Sequence, residues 1–452
     1  MPALNVRRFQ ARAGLLSVVG LLYASACGGP YGTEDYIVQT GPGLMILLLL
    51  LAPWLWGVPM AFATAELSSA RPIEGGYYIW IRDILGPFWG FQAGIWSLIS
   101  SFLDNALYPV LFAKGLMYWF PEALASEERR WLAAVGFIAF LTWFNLRGIR
   151  IVGTAAVALN LFLIAPLVWI VAAGIARAQH NPFLPFTAPG VDPWNGLGAG
   201  LALTIWFYSG YTEVSTAAEE IQNPARNIPL ALLIVTPLVI LSYTAPLVAG
   251  LASVGNWSTW QSGEFARIGE ALGGPILGHW ALLGSVASFT VIFMSYLLWW
   301  SRLGWALAAD RSLPSWLARL HPRYGTPHRV LLVYAVGYAL LARLDFKDLL
   351  MLDVWVFGAY DLLLLAAVIR GRTVLAKRPA GFRVPGGTVG VWINALVPAA
   401  AWIVVLWATE RENVPGGVAV LLLPAFLYGA RHLLRRASRP PLEPPLPPPA
   451  AP

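Results

Sequence analysis

The chain has 452 residues, 58% of them hydrophobic and 12% charged, about half the charged share (about 25%) of an ordinary soluble domain. A mean hydropathy of +0.64 and 22 tryptophans likewise suit a protein whose solvent is lipid, with indole rings collecting at the bilayer interfaces. The net charge of +7 forms no continuous basic stripe, so no nucleic acid is expected as a partner, and the single cysteine, Cys27, excludes an internal disulfide framework.

Residues 1–13 carry Arg7, Arg8 and Arg12 and precede an apolar run that lacks a small-residue cleavage site. They are read as a cytoplasmic N-terminus, with the run retained as a helix. A hydrocarbon core about 30 Å thick needs ~20 residues per helix. That ruler predicts twelve transmembrane helices near 14–39, 42–69, 86–119, 131–146, 151–176, 196–220, 229–252, 276–309, 329–345, 347–370, 390–409 and 416–434. The Pro-rich segment 435–452 is expected to be a disordered cytoplasmic tail.

Two spans are broken by glycine-rich, polar backbone: Ser25-Ala26-Cys27-Gly28-Gly29-Pro30-Tyr31-Gly32 in the first, and Phe207-Tyr208-Ser209-Gly210-Tyr211-Thr212-Glu213 in the sixth. Lipid satisfies no free N–H or C=O, so such backbone lines a cavity or is buried in protein. Breaks at corresponding positions of two halves point to a transporter's binding site. Five helices follow from each break, which predicts an all-α polytopic protein with a five-plus-five inverted repeat: 14–176, then 196–370, with 390–434 appended. Arginines and lysines gather on one side of this layout, from Arg71, Arg82, Arg147, Arg150 and Arg226 to Arg370, Arg372, Lys377 and Arg431. By the positive-inside rule that side is cytoplasmic, and both termini lie on it.

Three local signatures resemble the amino acid–polyamine–organocation superfamily. They are Ala65-Glu66-Leu67 with Pro72-Ile73-Glu74-Gly75-Gly76-Tyr77-Tyr78, then Glu219-Glu220-Ile221-Gln222-Asn223-Pro224 through Ile228-Pro229, then Ala309-Asp310-Arg311 with His321-Pro322-Arg323-Tyr324-Gly325-Thr326-Pro327. A narrower likeness, in Gly28 to Asp35, Gly86 to Gln92 and Asp104 to Leu111, is to the branch of polyamine and L-type amino acid uptake permeases. The resemblance implies a leucine-transporter-type fold and secondary active transport of an amino acid or polyamine across the cytoplasmic membrane by alternating access, with proton symport. It implies no cofactor and fixes neither the substrate nor the oligomeric state.

The substrate-binding candidates are Ser25, Ala26, Gly28, Gly29 and Tyr31 at the first break, and Phe207, Tyr208, Ser209, Gly210, Tyr211 and Glu213 at the second, with Asp104 and Asn105 in the third span. Exposed N–H groups and helix N-termini at the first break suit a carboxylate; a plain helix kink is the alternative. An intramembrane acid pairs, holds a proton or does transport work, which makes Asp104 and Glu213 the proton-coupling candidates, against a purely structural role for each. Glu34 and Asp35 read as solvated charges at the mouth. Glu66, Arg71, Glu219, Glu220 and Arg226 are candidates for a cytoplasmic gate of mutual ion pairs, against ordinary snorkelling of the arginines. Some proton-coupled relatives carry a lysine in the fifth span; the stretch here, Asn160 to Leu167, has none, and Pro166 stands in its place. The five histidines show no metal-ligand spacing, and no G-x-x-x-x-G-K-[ST] run is present, so neither a metal nor an ATP-driven pump is expected. An exchanger of the same fold and a non-transporting sensor stay open, whereas no catalytic constellation marks an enzyme.

Overall fold

The computed structural model describes residues 9–261, 263–344, 346–374, 381–408 and 414–437, and every predicted span contains helix. Among the described residues there is no strand, only an isolated bridge between Ala13 and Ile221.

The first span is two helices, α1 (Leu15–Ala26) and α2 (Thr33–Thr40). Cys27 turns to an extended conformation, and Gly29 and Gly32 adopt φ of 78° and 99°. Glycine reaches that region without the Cβ penalty, and Pro30 bars helix continuation. Next come α3 (Pro42–Ala52) and α4 (Val58–Ala70), joined through a wide π turn at Pro53–Gly57. A short helix, α5 (Gly76–Leu85), follows; at ten residues it falls below the length needed to span lipid, so a transmembrane ruler passes over it.

Helices α6 (Pro87–Asn105) and α7 (Leu107–Leu116) continue one another, followed by α8 (Glu127–Asn145) and α9 (Ile149–Ala176). Ser126 caps α8 by accepting from Arg129 N at 3.3 Å, and Asp192 caps α10 (Pro193–Phe207) by accepting from Trp194 N at 3.1 Å. Residues 208–212 are non-helical, and a 3-10 helix runs Glu213–Glu220. The rest are α11 (Pro224–Ser253), α12 (Glu264–Ala309), α13 (His328–Leu341), α14 (Phe346–Val374), α15 (Gly387–Ala408) and α16 (Val414–Ala437). In α12, Gly274 at φ 76°, ψ −176° kinks the rod, so its first turns precede the predicted start at 276.

Eight of these rods are long and apolar enough to cross a membrane. The breaks cut α1 and α10 short, α8 opens on the charges Glu127, Glu128, Arg129 and Arg130, and α13 is short and apolar. Burial ranks the layers: 72% of the spanning window is buried in α12 and α14, against 11% in α16. The centre is thus α12 and α14 with the rods of α3–α4 and α6–α7 (67% and 61% buried), and α16 lies at the rim. The last helix carries residues 435–437 of the predicted tail; residues 1–8 and 438–452 lie outside the described residues.

Candidate functional site

Between the two breaks lies a cavity of about 390 Å³, within the roughly 300–1,000 Å³ usual for small-molecule pockets. Its wall includes the last turn of α1 and the break after it (Ser25, Ala26, Cys27, Gly28, Gly29, Tyr31), the last turn of α10 (Leu203, Trp206, Phe207), Tyr108, Tyr243 and one face of α12 (Ser288, Phe289, Ile292, Tyr296). Lys114, Tyr118, Arg267, Glu270 and His279 also border it, and all five are exposed, which marks the mouth.

Side chains of the protein itself occupy much of the backbone freed at the first break. The Tyr243 hydroxyl accepts from Gly28 N at 3.3 Å and donates to Phe207 O at 3.2 Å, tying the two breaks together. Gly29 N donates to Cys27 Sγ at 3.3 Å. Ser288 Oγ donates to Gly28 O at 2.5 Å, and the Tyr296 hydroxyl donates to Ser25 O at 2.7 Å. Both half-helices that border the cavity, α1 and α10, point their C-terminal ends at it, each carrying about half a negative charge. The N-terminal end nearest the mouth, that of α2, is already met by Glu34, which accepts from Gly32 N at 2.8 Å and Gly263 N at 3.1 Å.

Aromatic rings complete the wall. Phe207 stacks on Tyr243 with ring centroids 4.6 Å apart, and Tyr296 stacks on Trp300 at 4.3 Å. Behind Trp206, Asp104 accepts from its Nε1 at 2.8 Å and from the Tyr108 hydroxyl at 3.3 Å. The cavity wall thus combines π faces, two helix C-termini and Glu34, which favour a cation, with Asp104 behind it and Lys114 and Arg267 at the mouth.

Ser25, Ala26, Gly28, Gly29, Tyr31 and Phe207 line this cavity; Asp104, Asn105, Tyr208, Ser209, Gly210, Tyr211 and Glu213 do not. After Phe207 the chain turns away from the cavity. Tyr208 donates its hydroxyl to Leu49 O at 2.9 Å, Ser209 Oγ donates to Trp206 O at 2.7 Å, and Asn105 Nδ2 donates to Phe293 O at 3.5 Å. Gly210, at φ 84°, abuts the Ser25 carbonyl and the Tyr296 hydroxyl so closely that a Cβ has no room. Glu213 is buried and accepts from the Tyr77 hydroxyl at 3.4 Å and the Tyr360 hydroxyl at 3.3 Å. Glu34 is buried as well (2% exposed) and holds backbone, which corrects its reading as a solvated charge; Asp35 is exposed.

The gate candidates find partners outside their own set. Glu220 pairs with Arg302 at 2.6 Å, Glu66 with Arg372 at 2.9 Å, and Arg71 with Asp83 at 2.5 Å. Arg226 is exposed, and Glu219 contributes its backbone N to Glu74 Oε2 at 3.1 Å. Mutual pairing does not occur among the described residues of this structure: Arg302 and Arg372 reach Glu220 and Glu66 from helices remote in sequence, and Arg71 turns to Asp83 on the next helix, α5. On the same side, burial opposes ionisation of Asp83, but the Arg82 and Arg71 guanidiniums hold its carboxyl below the usual value. Further bonds seal this end: Thr216 O accepts from Gly75 N at 2.8 Å, and Glu220 O accepts from Arg12 N at 2.8 Å and Ala13 N at 3.0 Å. His279 at the mouth and Arg302 at the seal are separated by 23 residues of α12, about 35 Å at 1.5 Å per residue. The cavity is open at one end and latched at the other.

A family model described as amino acid permease matches residues 14–427, which covers both breaks and the latch. The chain belongs to the amino acid permease family. This permease is 34% identical over 418 residues to polyamine transporter PUT1 of Oryza sativa subsp. japonica, covering 92% of the chain and 76% of that protein. It is 31% identical over 433 residues to polyamine transporter RMV1 of Arabidopsis thaliana, covering 95% and 86%. An uncharacterized transporter of Mycobacterium tuberculosis (strain CDC 1551 / Oshkosh) matches at 26% over 436 residues, covering 95% and 93%. With its spanning helices and its family, the permease is a multi-pass membrane protein of a transporter class rather than an enzyme.

Sequence reading of the permease passed over Trp206, Tyr108, Tyr243, Tyr296 and Ser288 in the cavity and over Arg302 in the latch. A buried arginine within a span is the one signal that was available in advance.

Proposed function

We propose that this permease is a secondary transporter of polyamines, working by alternating access across the cytoplasmic membrane with proton symport. The proposal includes twelve spans, the inverted repeats 14–176 and 196–370, the appended helices 390–434, and both termini in the cytoplasm. The observation that carries it is the polarity of the cavity: two helix C-termini and Glu34 face it, while the Gly28 and Gly29 N–H groups suited to a carboxylate are taken by Tyr243 and Cys27. An α-amino acid brings a carboxylate, for which the Gly28 and Gly29 N–H groups are already engaged; a polyamine brings only cations. The names of the plant relatives support the same choice.

In this reading Trp206, Tyr108, Phe207 and Tyr243 close round an ammonium group, Asp104 balances its charge from behind, and Glu34 draws a distal amine at the mouth. Asp104 and Glu213 carry the proton. The lack of a lysine in 160–167 favours exchange as the second reading, which predicts counterflow indifferent to pH. The deciding experiment is uptake into proteoliposomes of labelled putrescine, spermidine, leucine and arginine, with and without an imposed pH gradient. Concentrative, pH-driven polyamine uptake is expected. Uptake of an amino acid with none of either polyamine overturns the reading.

A further inference from the structure

A group of acids lies in the helical core beside the cavity without lining it. Asp104 on α6, Asp353 and Asp361 on α14, and Glu213 at the second break are 4%, 2%, 3% and 1% exposed. Among the described residues none of them forms an ion pair with a lysine, arginine or histidine. Their hydrogen-bond partners are neutral donors. Ser100 Oγ donates to Asp353 at 2.5 Å, Trp206 and Tyr108 donate to Asp104, and Tyr77 and Tyr360 donate to Glu213.

Asp361 is less satisfied still. The side chains of Trp56 and Thr212 interact with its carboxyl, but among the described residues Oδ1 and Trp56 Nε1 make no well-formed hydrogen bond. An unpartnered carboxylate oxygen this deep is costly; an un-ionised carboxyl with its own O–H is cheaper and supplies a donor.

The acids are spaced as a series. Ser100 and Asp104 sit one turn apart on α6, so the Ser100 bond sets Asp353 one turn from Asp104. Asp361 follows eight residues along α14, a rise of about 12 Å, and Glu213 lies within electrostatic reach of both Asp361 and Asp104. Tyr360 stacks on Tyr77 with centroids 5.4 Å apart, placing both hydroxyls at Glu213. The series descends from the cavity wall toward the latched end, where α14 reaches Arg372 and its partner Glu66.

The elements packed on α14 bring no compensating cation to this level. From α6, α7 and α5 the titratable groups at this level are Asp104, Tyr108 and Tyr77, while Lys114 of α7 is exposed at the mouth and Arg82 of α5 pairs with Asp83 and Asp310; α4 brings Glu66, already held by Arg372. The described part of α15 brings none, and Arg431 on α16 lies over the Phe91 ring at the latched end. Among the described residues no three acids converge as metal ligands do. Spaced carboxyls met by neutral donors suit the smallest cation.

We propose that Asp353 and Asp361 join Asp104 and Glu213 in a proton-storing ladder that runs from the back of the cavity to the latched end. A substrate ammonium settling against Trp206 neutralises Asp104 as carboxylate, and the proton that Asp104 held is taken up by whichever other ladder carboxyl is ionised at that moment, so the ladder holds one proton fewer than it has carboxyls. Charge balances, one proton displaced for each ammonium accepted, and no covalent bond other than O–H is made or broken. The transport half of this rests on the proton-coupled polyamine reading; the storage half does not.

Two measurements on the full-length protein separate them. Infrared spectra of the purified wild type at neutral pH are expected to show the carbonyl stretch of un-ionised carboxyls, reduced in Asp353→Asn and in Asp361→Asn and regained in Asp361→Glu. Absence of that band in the wild type, or its indifference to both substitutions, overturns the ladder whatever the protein transports. In proteoliposomes with the membrane potential clamped at zero, one pH unit supports about tenfold accumulation per coupled proton. The steady-state ratio does not depend on how many molecules are folded. Asp361→Asn is expected to lower the putrescine ratio by about that factor, and a wild-type ratio in this variant overturns its part in coupling. A wild type that takes up no polyamine refutes the proposed function instead, and the infrared result then decides the ladder alone.

Discussion

Replacing Arg302 by methionine should open the latched end. The Arg302 side chain is 0% exposed and that of Glu220 7%, and they meet at 2.6 Å. The guanidinium also bonds Leu298 O at 3.2 Å and Ser301 Oγ at 3.0 Å on its own helix. Removing one partner of a buried pair leaves the other charge uncompensated, at a cost of about 3–5 kcal/mol. That cost falls on the latched state, because opening returns Glu220 to water. A bias of about 3 kcal/mol raises the population open on this side by about 150-fold. Cys27, the chain's one cysteine and part of the cavity wall, is a native probe. Its labelling by an impermeant thiol reagent applied from the latched side should accelerate by a comparable factor until opening itself limits the rate. The double variant Arg302→Met/Glu220→Met removes both charges and should return labelling most of the way to wild type, since an apolar pair replaces the buried pair at little cost. Labelling of Arg302→Met no faster than wild type, in protein that still melts cooperatively, refutes the latch.

Four further substitutions test the cavity and its supports. Tyr243→Phe strands the Gly28 N–H and Phe207 C=O that the hydroxyl now joins. It should cost about 1–3 kcal/mol, read as a lower melting temperature, and should let neutral amino acids compete with polyamine uptake. Trp206→Phe keeps a ring but loses the 2.8 Å bond to Asp104. At about 1.5–3 kcal/mol for a bond to a charged group, polyamine Kd by calorimetry should rise about tenfold or more, and an unchanged Kd removes Asp104 from recognition. Glu34→Gln removes the charge and keeps an acceptor for one of the Gly32 and Gly263 N–H groups, so KM for spermidine should rise more than that for putrescine, which reaches the mouth less fully. Gly210→Ala demands φ of +84° from an L-residue and drives its Cβ into the Ser25 carbonyl; a loss of about 2–5 kcal/mol should show as a collapsed melting temperature, and a stable variant with normal uptake contradicts the packing of the two breaks.

The helices were legible because lipid makes the pattern strict: an apolar run of about 20 residues has few other readings. The breaks were legible for the same reason, since Gly28-Gly29-Pro30 and Ser209-Gly210 violate a helix that the flanking sequence otherwise specifies. What faces the cavity was not. The break at 208–213 reads as a binding loop by composition, yet Gly210 is there because the Ser25 carbonyl leaves space for nothing larger. Periodicity cannot assign Tyr243 and Tyr296 to one cavity, because α11 and α12 are apolar all round and their inward face is set by which helix they meet. Asp353 and Asp361 were available to the rule that an intramembrane acid has a purpose, but no glycine-rich break marks the span that carries them.

Selectivity in such a fold turns on how the freed backbone is satisfied. Unwinding a helix at mid-depth exposes donors and acceptors together, and a cavity that left both open would accept the carboxylate and the ammonium of an amino acid alike. Here Tyr243 and Cys27 consume the donors at Gly28 and Gly29, Glu34 meets the α2 N-terminus, and the hydroxyls of Tyr296, Ser288 and Tyr243 meet the Ser25, Gly28 and Phe207 carbonyls, which leaves the dipoles of α1 and α10 aimed at the cavity. In the proposed reading the cavity needs no large carboxylate cluster to prefer cations, because its own hydroxyl and thiol engage the Gly28 and Gly29 donors. Position 243 therefore acts as a switch of substrate class: a phenylalanine there frees the Gly28 donor without adding bulk. Competition by leucine in Tyr243→Phe, absent in wild type, is the expected signature, and its absence in a folded variant shows that the Gly28 donor plays no part in excluding carboxylates.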